Sequence, residues 1–276
     1  MLIPWNTDAP IYHWPWATVG LMAANVMVFV RLVSVDYAGA EEWILIYGDG
    51  LHPLQWLTSN FIHADFFHLL GNMLFLWAFG LVVEGKLGWW RFLAVFLGLG
   101  VTQSGLEQIL TLGMDEGGSL GASAAIYGLM AMALVWAPKN DMNCVFLIGF
   151  RVLTFDLSIQ TLSLIYICIE IGMTMLSGLQ ITGSVLHLSG AVLGFGLGTI
   201  MVKLDWVDCE NWDLYSLMAG RNSKLPSELQ PQRTPEPVAS PAQLEAQALE
   251  TSDRNSHLGQ GRARRWSAGP VRQDGP

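Results

Sequence analysis

Six stretches of roughly 20 mostly apolar residues recur along this chain, each long enough to cross about 30 Å of hydrocarbon as a helix. They fall at about 15–34, 62–83, 89–111, 120–137, 159–178 and 184–202 of the 276 residues. Inside a bilayer every backbone N–H and C=O must find its partner within the protein, so consecutive spans of this kind fold as a helical bundle. The composition agrees, with 52% hydrophobic and 13% charged residues, about half the charged share of an ordinary soluble domain. The expected fold class is an all-α membrane protein whose first partner is the lipid bilayer.

Charge divides the chain. Residues 1–220 hold 6 Lys/Arg against 17 Asp/Glu, and residues 221–276 hold 8 against 6. So acidic a core argues against nucleic acid as a partner. Basic residues near span ends set orientation. Lys86, Arg91, Lys139, Arg151 and Lys203 all fall on one side of six crossings, and only Arg31 falls on the other. Both termini are then expected to be cytoplasmic, in a multi-pass protein of the cell (plasma) membrane. No cleavable signal peptide is expected, because the first 15 residues lack Lys and Arg and the first apolar run is long.

The expected organisation is an N-terminal segment 1–14, a membrane domain 15–203 and a cytoplasmic tail 204–276 that is largely disordered. The tail becomes Pro-, Gln-, Ser- and Ala-rich from about Arg221. The segment 35–60 joins the first two spans and carries Trp43, Ile44, Leu45, Ile46, Tyr47 and Trp56, which suits a loop lying in the membrane interface. The stretch Asn143–Leu157 reads as an amphipathic turn on the cytoplasmic surface. Cys144, Cys168 and Cys209 are scattered and have neither disulfide-framework nor zinc spacing.

Polar groups inside a membrane helix are costly and need a reason. Ser123 opens the fourth span after a Gly-rich loop (Gly117, Gly118, Gly121), where free N–H groups and the helix dipole favour an oxyanion. Tyr127 lies four residues on, on the same face. His187 opens the sixth span, followed by Gly190, Gly194 and Gly198. That stripe, facing Gly121, Ala125 and Gly128 of the fourth span, lets two helices pack with backbones nearly touching. In the second span His68 and Asn72 share a face and offer two donors of the kind an oxyanion hole needs. Taken singly, Ser123 reads equally as a cap or packing serine and His187 as an interfacial histidine. His63 and His68 are five apart rather than four, which disfavours a shared zinc, and no cofactor or metal is expected. Glu84 and Gly88 read as helix-terminating residues, and Glu170 in the fifth span is a membrane-depth charge with no evident partner.

In order, HADFFHLLGN, FGLVVEGKLG, GASAAIYG and HLSGAVLGFGLG resemble the motifs of the rhomboid family of intramembrane proteases over about residues 15–203. The resemblance implies a rhomboid-like six-transmembrane-helix bundle with a membrane-embedded first loop. It implies a serine endopeptidase that cuts single-span transmembrane substrates by a dyad without a carboxylate. Ser123 would be the nucleophile and His187 the base. His68, Asn72 and the Ser123 N–H would form the oxyanion hole. Gly121 would belong to the loop before the nucleophile, Tyr127 would stack on His187, and His63 would support the second helix. Ala124 stands where the family more often has Gly, and the first loop has no adjacent Trp-Arg pair. The alternative is an inactive rhomboid-like protein that binds transmembrane helices.

Overall fold

The structure, a computed structural model, describes residues 2–148, 151–178 and 180–221. Six helices make the bundle: α1 Trp16–Ser34, α3 Phe66–Leu87, α4 Trp89–Leu110, α5 Ser123–Trp136, α6 Ile159–Leu176 and α7 Gly183–Lys203. Two short helices lie outside it, α2 Pro53–Thr58 in the first loop and α8 Leu214–Met218 after α7. Five of the six are long and apolar enough to cross a membrane. The exception is α5, whose 14 residues span only about 21 Å.

The shortness of α5 follows from its position. Every residue from Ala124 to Trp136 except Tyr127 is buried, so it is the central post of the bundle. A helix enclosed by protein on all sides need not reach both membrane faces, because neighbouring chain covers its ends. The boundaries of α3 also differ from the apolar run at 62–83. Asp65 accepts a hydrogen bond from the His68 N–H at 2.9 Å and starts the helix there, as an Asp N-cap does. Gly88, at φ +76°, ends it.

The contact between α5 and α7 is made by backbone. A methyl on Gly190 would lie 2.0 Å from the Ala124 carbonyl oxygen, and one on Gly194 would lie 2.0 Å from that of Gly128. The stripe on α7 is the one read from the sequence. On α5 the facing residues are Ala124, Gly128 and Met132, four apart; of the expected Gly121, Ala125 and Gly128, Gly128 fronts the stripe and the other two do not. Ala124 therefore meets α7 with its main chain, and its methyl group does not separate the helices. Trp136 Nε1 donates to the Gly198 carbonyl at 3.0 Å, closing the far end of the seam.

Glu84 ends a different helix from its own. Its carboxylate accepts from the backbone N–H groups of Ala17 and Thr18 at 2.8 and 2.7 Å, and from the Thr18 hydroxyl at 2.7 Å. Those N–H groups belong to the first turn of α1 and have no intrahelical partner. A buried carboxylate on α3 thus caps α1, beside Gly80, where a side chain would collide with Thr18.

At the end of the bundle opposite Ser123, β1 Leu2–Thr7, β4 Asp141–Ile148 and β5 Arg151–Ser158 form an antiparallel sheet in the order β1-β4-β5. The stretch read as an amphipathic turn is this β4–β5 hairpin, paired from Asp141↔Ser158 to Ile148↔Arg151. Met142 and Cys144 are buried while Asp141 is exposed, an alternation of period two that a helical reading misses. The packed chain also continues past Lys203. Val207 and Cys209 join the core, Asp213 caps α8, and Tyr215 bonds Thr199 of α7 at 2.8 Å. The tail beyond Arg221 lies outside the described residues.

The first loop is tied down by its own polar groups. Strand β2 Leu45–Ile46 pairs with β3 Gly118–Ser119, just before α5. Gln108 of α4 accepts from the His52 N–H and the Trp56 indole and donates to the Ile46 carbonyl. Asn60 reaches Ser104 across the place where Gly100 leaves room for it. Trp43, Leu51, Leu54 and Leu57 remain exposed, an apolar surface suited to lipid rather than water.

Candidate active site

Ser123 is the first residue of α5, and His187 lies in the second turn of α7. The backbone contact of Gly190, about one turn on from His187, with Ala124, next to Ser123, brings the two side chains within reach. Ser123 Oγ is 2.8 Å from His187 Nε2. The other ring nitrogen, Nδ1, is 2.8 Å from Oε1 of Glu170 on α6. Tyr127 lies flat on the imidazole, with centroids 4.4 Å apart and planes 6° from parallel, and its hydroxyl donates to the same Oε1.

These contacts assign protons. A carboxylate oxygen with two donors aimed at it can only accept. Nδ1 then carries the imidazole hydrogen, Nε2 offers its lone pair, and the Ser123 hydroxyl donates to it. That is the tautomer a general base requires. Glu170, buried and unexplained in the sequence, thus has both His187 and Tyr127 as partners.

The loop before Ser123 is shaped by Gly121. Its φ is +112°, its N–H donates to the Ser59 carbonyl at 2.9 Å, and a methyl group there would lie 2.9 Å from the His68 ring. Only Gly combines that conformation with that approach. His68 Nδ1 accepts a long, 3.4 Å bond from the Ala64 N–H, which leaves the ring hydrogen of a neutral imidazole on Nε2, on the edge of the ring that faces Gly121. Asn72 spends one amide hydrogen on the His68 carbonyl at 2.9 Å. His63, fully buried in the loop before α3, meets the His68 ring edge-on at 5.1 Å. Burial, and then the neighbouring His68, push the His63 imidazole down to about 4.

Two cavities share a wall at Ser123 and His187. One, of about 540 Å³, is lined by polar groups of α4 and the loops, among them Gln103, Ser104, Glu107, Tyr47 and Ser119. The other, of about 220 Å³, is mostly apolar and opens past Phe67, Gly71, Asn72, Phe75 and Tyr127. His68 touches both. Tyr47 donates to Glu107, and burial followed by that carboxylate raises its phenol, so it remains protonated. The sequence reading singled out none of Gln103, Ser104, Glu107 and Gln108. Their signal was present as polar residues one turn apart within an apolar span.

A polytopic helical membrane protein with a hydroxyl, an imidazole and a carboxylate in successive spatial contact, sunk between a polar and an apolar cavity, is the class these features define. A family model described as the Rhomboid domain matches residues 51–204, and the chain belongs to the rhomboid family. It is 29% identical over 194 residues to the human presenilin-associated rhomboid-like protein, mitochondrial, covering 69% of this chain and 50% of that protein. Rhomboid-like protease 2 of Toxoplasma gondii is 29% identical over 200 residues, covering 69% and 58%. Rhomboid protease GluP of Bacillus subtilis is 30% identical over 157 residues, covering 54% and 30%. The chain spans about half the length of the mitochondrial relatives it matches.

Proposed function

We propose that this chain is an active intramembrane serine endopeptidase that hydrolyses peptide bonds in or near the transmembrane segments of single-span proteins. The observation that carries this reading is the 2.8 Å contact between Ser123 Oγ and His187 Nε2 at the first turn of α5. That distance lies within the roughly 2.6–3.2 Å over which a base can take a hydroxyl proton. It counts against the alternative of an inactive helix-binding relative, for which the pair would have no task.

As Ser123 Oγ attacks the scissile carbonyl, its proton passes to His187 Nε2. The oxyanion that forms is held by the Ser123 N–H at the positive end of the α5 dipole and by donors from His68 and Asn72. The imidazolium then protonates the departing amine. Water hydrolyses the acyl-enzyme with His187 again as base. The apolar cavity suits a substrate segment arriving from lipid, and the polar one suits water. A helical segment exposes its peptide carbonyls only where it unwinds, so bonds near small or helix-breaking residues are favoured. We place the protein in the plasma membrane with the Lys86, Arg91, Lys139 and Lys203 end cytoplasmic and Ser123 near the outer face.

The test is cleavage of a reporter single-span substrate in proteoliposomes, with labelling by a fluorophosphonate probe. Both signals should vanish in Ser123→Ala and in His187→Ala while the protein stays folded. Undiminished cleavage by Ser123→Ala would refute the assignment.

A further inference from the structure

We propose that Glu170 is the third member of the catalytic constellation, a positioning residue that fixes the tautomer of His187 and stabilises its imidazolium. The proposal rests on the protease reading given above. It takes its force from a geometry that a serine–histidine dyad does not require.

Glu170 comes from α6, whereas Ser123 and His187 come from α5 and α7, so the three groups are converged by tertiary packing rather than by local sequence. Its carboxylate meets Nδ1 of His187 at 2.8 Å. Ser123 Oγ meets Nε2, the opposite nitrogen, also at 2.8 Å. The order carboxylate, imidazole, hydroxyl is that of a serine-hydrolase triad, which is recognised by roles and geometry and not by chain order. Among the described residues, the groups facing Glu170 are Tyr127 of α5 and, from α7, His187 and Ser184, with Tyr166 of its own helix near Tyr127. All of them donate to the carboxylate or are neutral, and none is a lysine or arginine.

A buried carboxylate with no cation beside it is costly unless the charge has a use. Here the use arises during the reaction. When the Ser123 Oγ–H proton moves to Nε2, the ring becomes a cation, and Glu170 is the anion already in contact with it. The proton on Nδ1 stays on Nδ1 and Glu170 gains none: O–H breaks and Nε2–H forms as Oγ bonds to the scissile carbon and the carbonyl π pair moves onto the oxyanion. Tyr127 holds the carboxylate from the side and the ring from its face, so neither can rotate without losing a partner.

Three variants of the full chain in proteoliposomes test this: Glu170→Gln, Glu170→Asp and Ser123→Ala. Turnover is normalised to the amount of folded protein, taken from thermal unfolding. Glu170→Gln should lower kcat on the order of 10²–10⁴-fold, as loss of a triad carboxylate does, with KM changed by less than about three-fold. Glu170→Asp keeps the charge one methylene shorter and should recover at least about ten-fold of that loss, a rescue a space-filling role would not give. Histidine ¹⁵N spectra should show His187 with its hydrogen on Nδ1 in the wild type and as a mixture of tautomers in Glu170→Gln. Should Ser123→Ala remain active, the protease reading itself fails. If Ser123→Ala is dead but Glu170→Gln keeps kcat within about two-fold, or Asp and Gln are equally impaired, the proposal for Glu170 is overturned.

Discussion

The rings of Tyr127 and His187 lie 6° from parallel with their centroids 4.4 Å apart, and the two residues share one oxygen of Glu170. The phenol therefore does two separable things. Tyr127→Phe keeps the stack and removes only the hydroxyl. Tyr127→Ala removes both, including a stacking contribution of about 0.5–1.5 kcal/mol. We expect kcat to fall modestly in the first variant and at least about ten-fold in the second. Equal losses would mean that the hydroxyl alone matters.

The α5–α7 seam makes a sharper contrast between two glycines of one helix. A methyl on Gly194 would sit 2.0 Å from the Gly128 carbonyl oxygen, whereas one on Gly196 meets nothing within 4 Å. Gly194→Ala should cost about 1–3 kcal/mol or more by overpacking and pull Ser123 away from His187. Gly196→Ala should be neutral or stabilise by up to about 1 kcal/mol through helix propensity. Thermal unfolding and fluorophosphonate labelling together check both.

Replacing Glu84 by Ala strands the N–H groups of Ala17 and Thr18 in a buried site. A loss of about 2–4 kcal/mol follows from two unsatisfied donors. Because this cap lies at the end of the bundle away from Ser123, kcat per folded molecule should stay near wild type. A specific loss of kcat without loss of stability would contradict that separation.

His63 predicts a direction for pH. Its folded value, about 4, lies below the ordinary 6.5. The unfolded chain therefore takes up a proton first as pH falls, and stability drops between about pH 6.5 and 4. His63→Phe should flatten that part of the stability curve while the wild type steepens. Superimposable curves would show that His63 is not the group responsible.

Truncation after Arg221 removes only residues beyond α8 and should leave kcat and thermal stability near those of the full chain. Truncation after Lys203 also removes Val207, Cys209 and Tyr215 from the core and should lower the unfolding temperature. Complete inactivity of the first truncation would place a functional element in the tail.

The apolar spans were legible because a bilayer imposes a simple rule of length and polarity; four of their helices are within about two residues of the expected bounds, α5 starts about three later, and α3 starts and ends about four later. Ser123 and His187 were legible as a pair through the glycine stripe that joins their helices. Three features were not. On α5 the partner is fronted by Ala124, Gly128 and Met132, of which only Gly128 was read, because i, i+4 spacing alone does not say which small residue fronts the partner. The β4–β5 hairpin was hidden by its mixed composition, since its partner β1 lies over 130 residues away and cannot be read locally. Glu170 had no visible partner for the same reason: its two ligands come from helices on either side of it in space, one before and one after it in the chain.

Ser123 and His187 are held in reach of each other by a seam in which, at Gly190 and Gly194, carbonyl oxygens and glycine α-carbons touch without side chains between them. Such a seam has no rotamers to populate, so the distance from Ser123 to His187 carries little of the conformational noise that softens most helix contacts. The lipid-facing helices α1 and α6 have largely exposed surfaces and must follow the bilayer when it thins or thickens. The seam need not follow. On the proposed protease reading, the chemistry is thereby insulated from the mechanical state of the membrane, and lipid composition acts on how a substrate arrives before it acts on how its bond is cut.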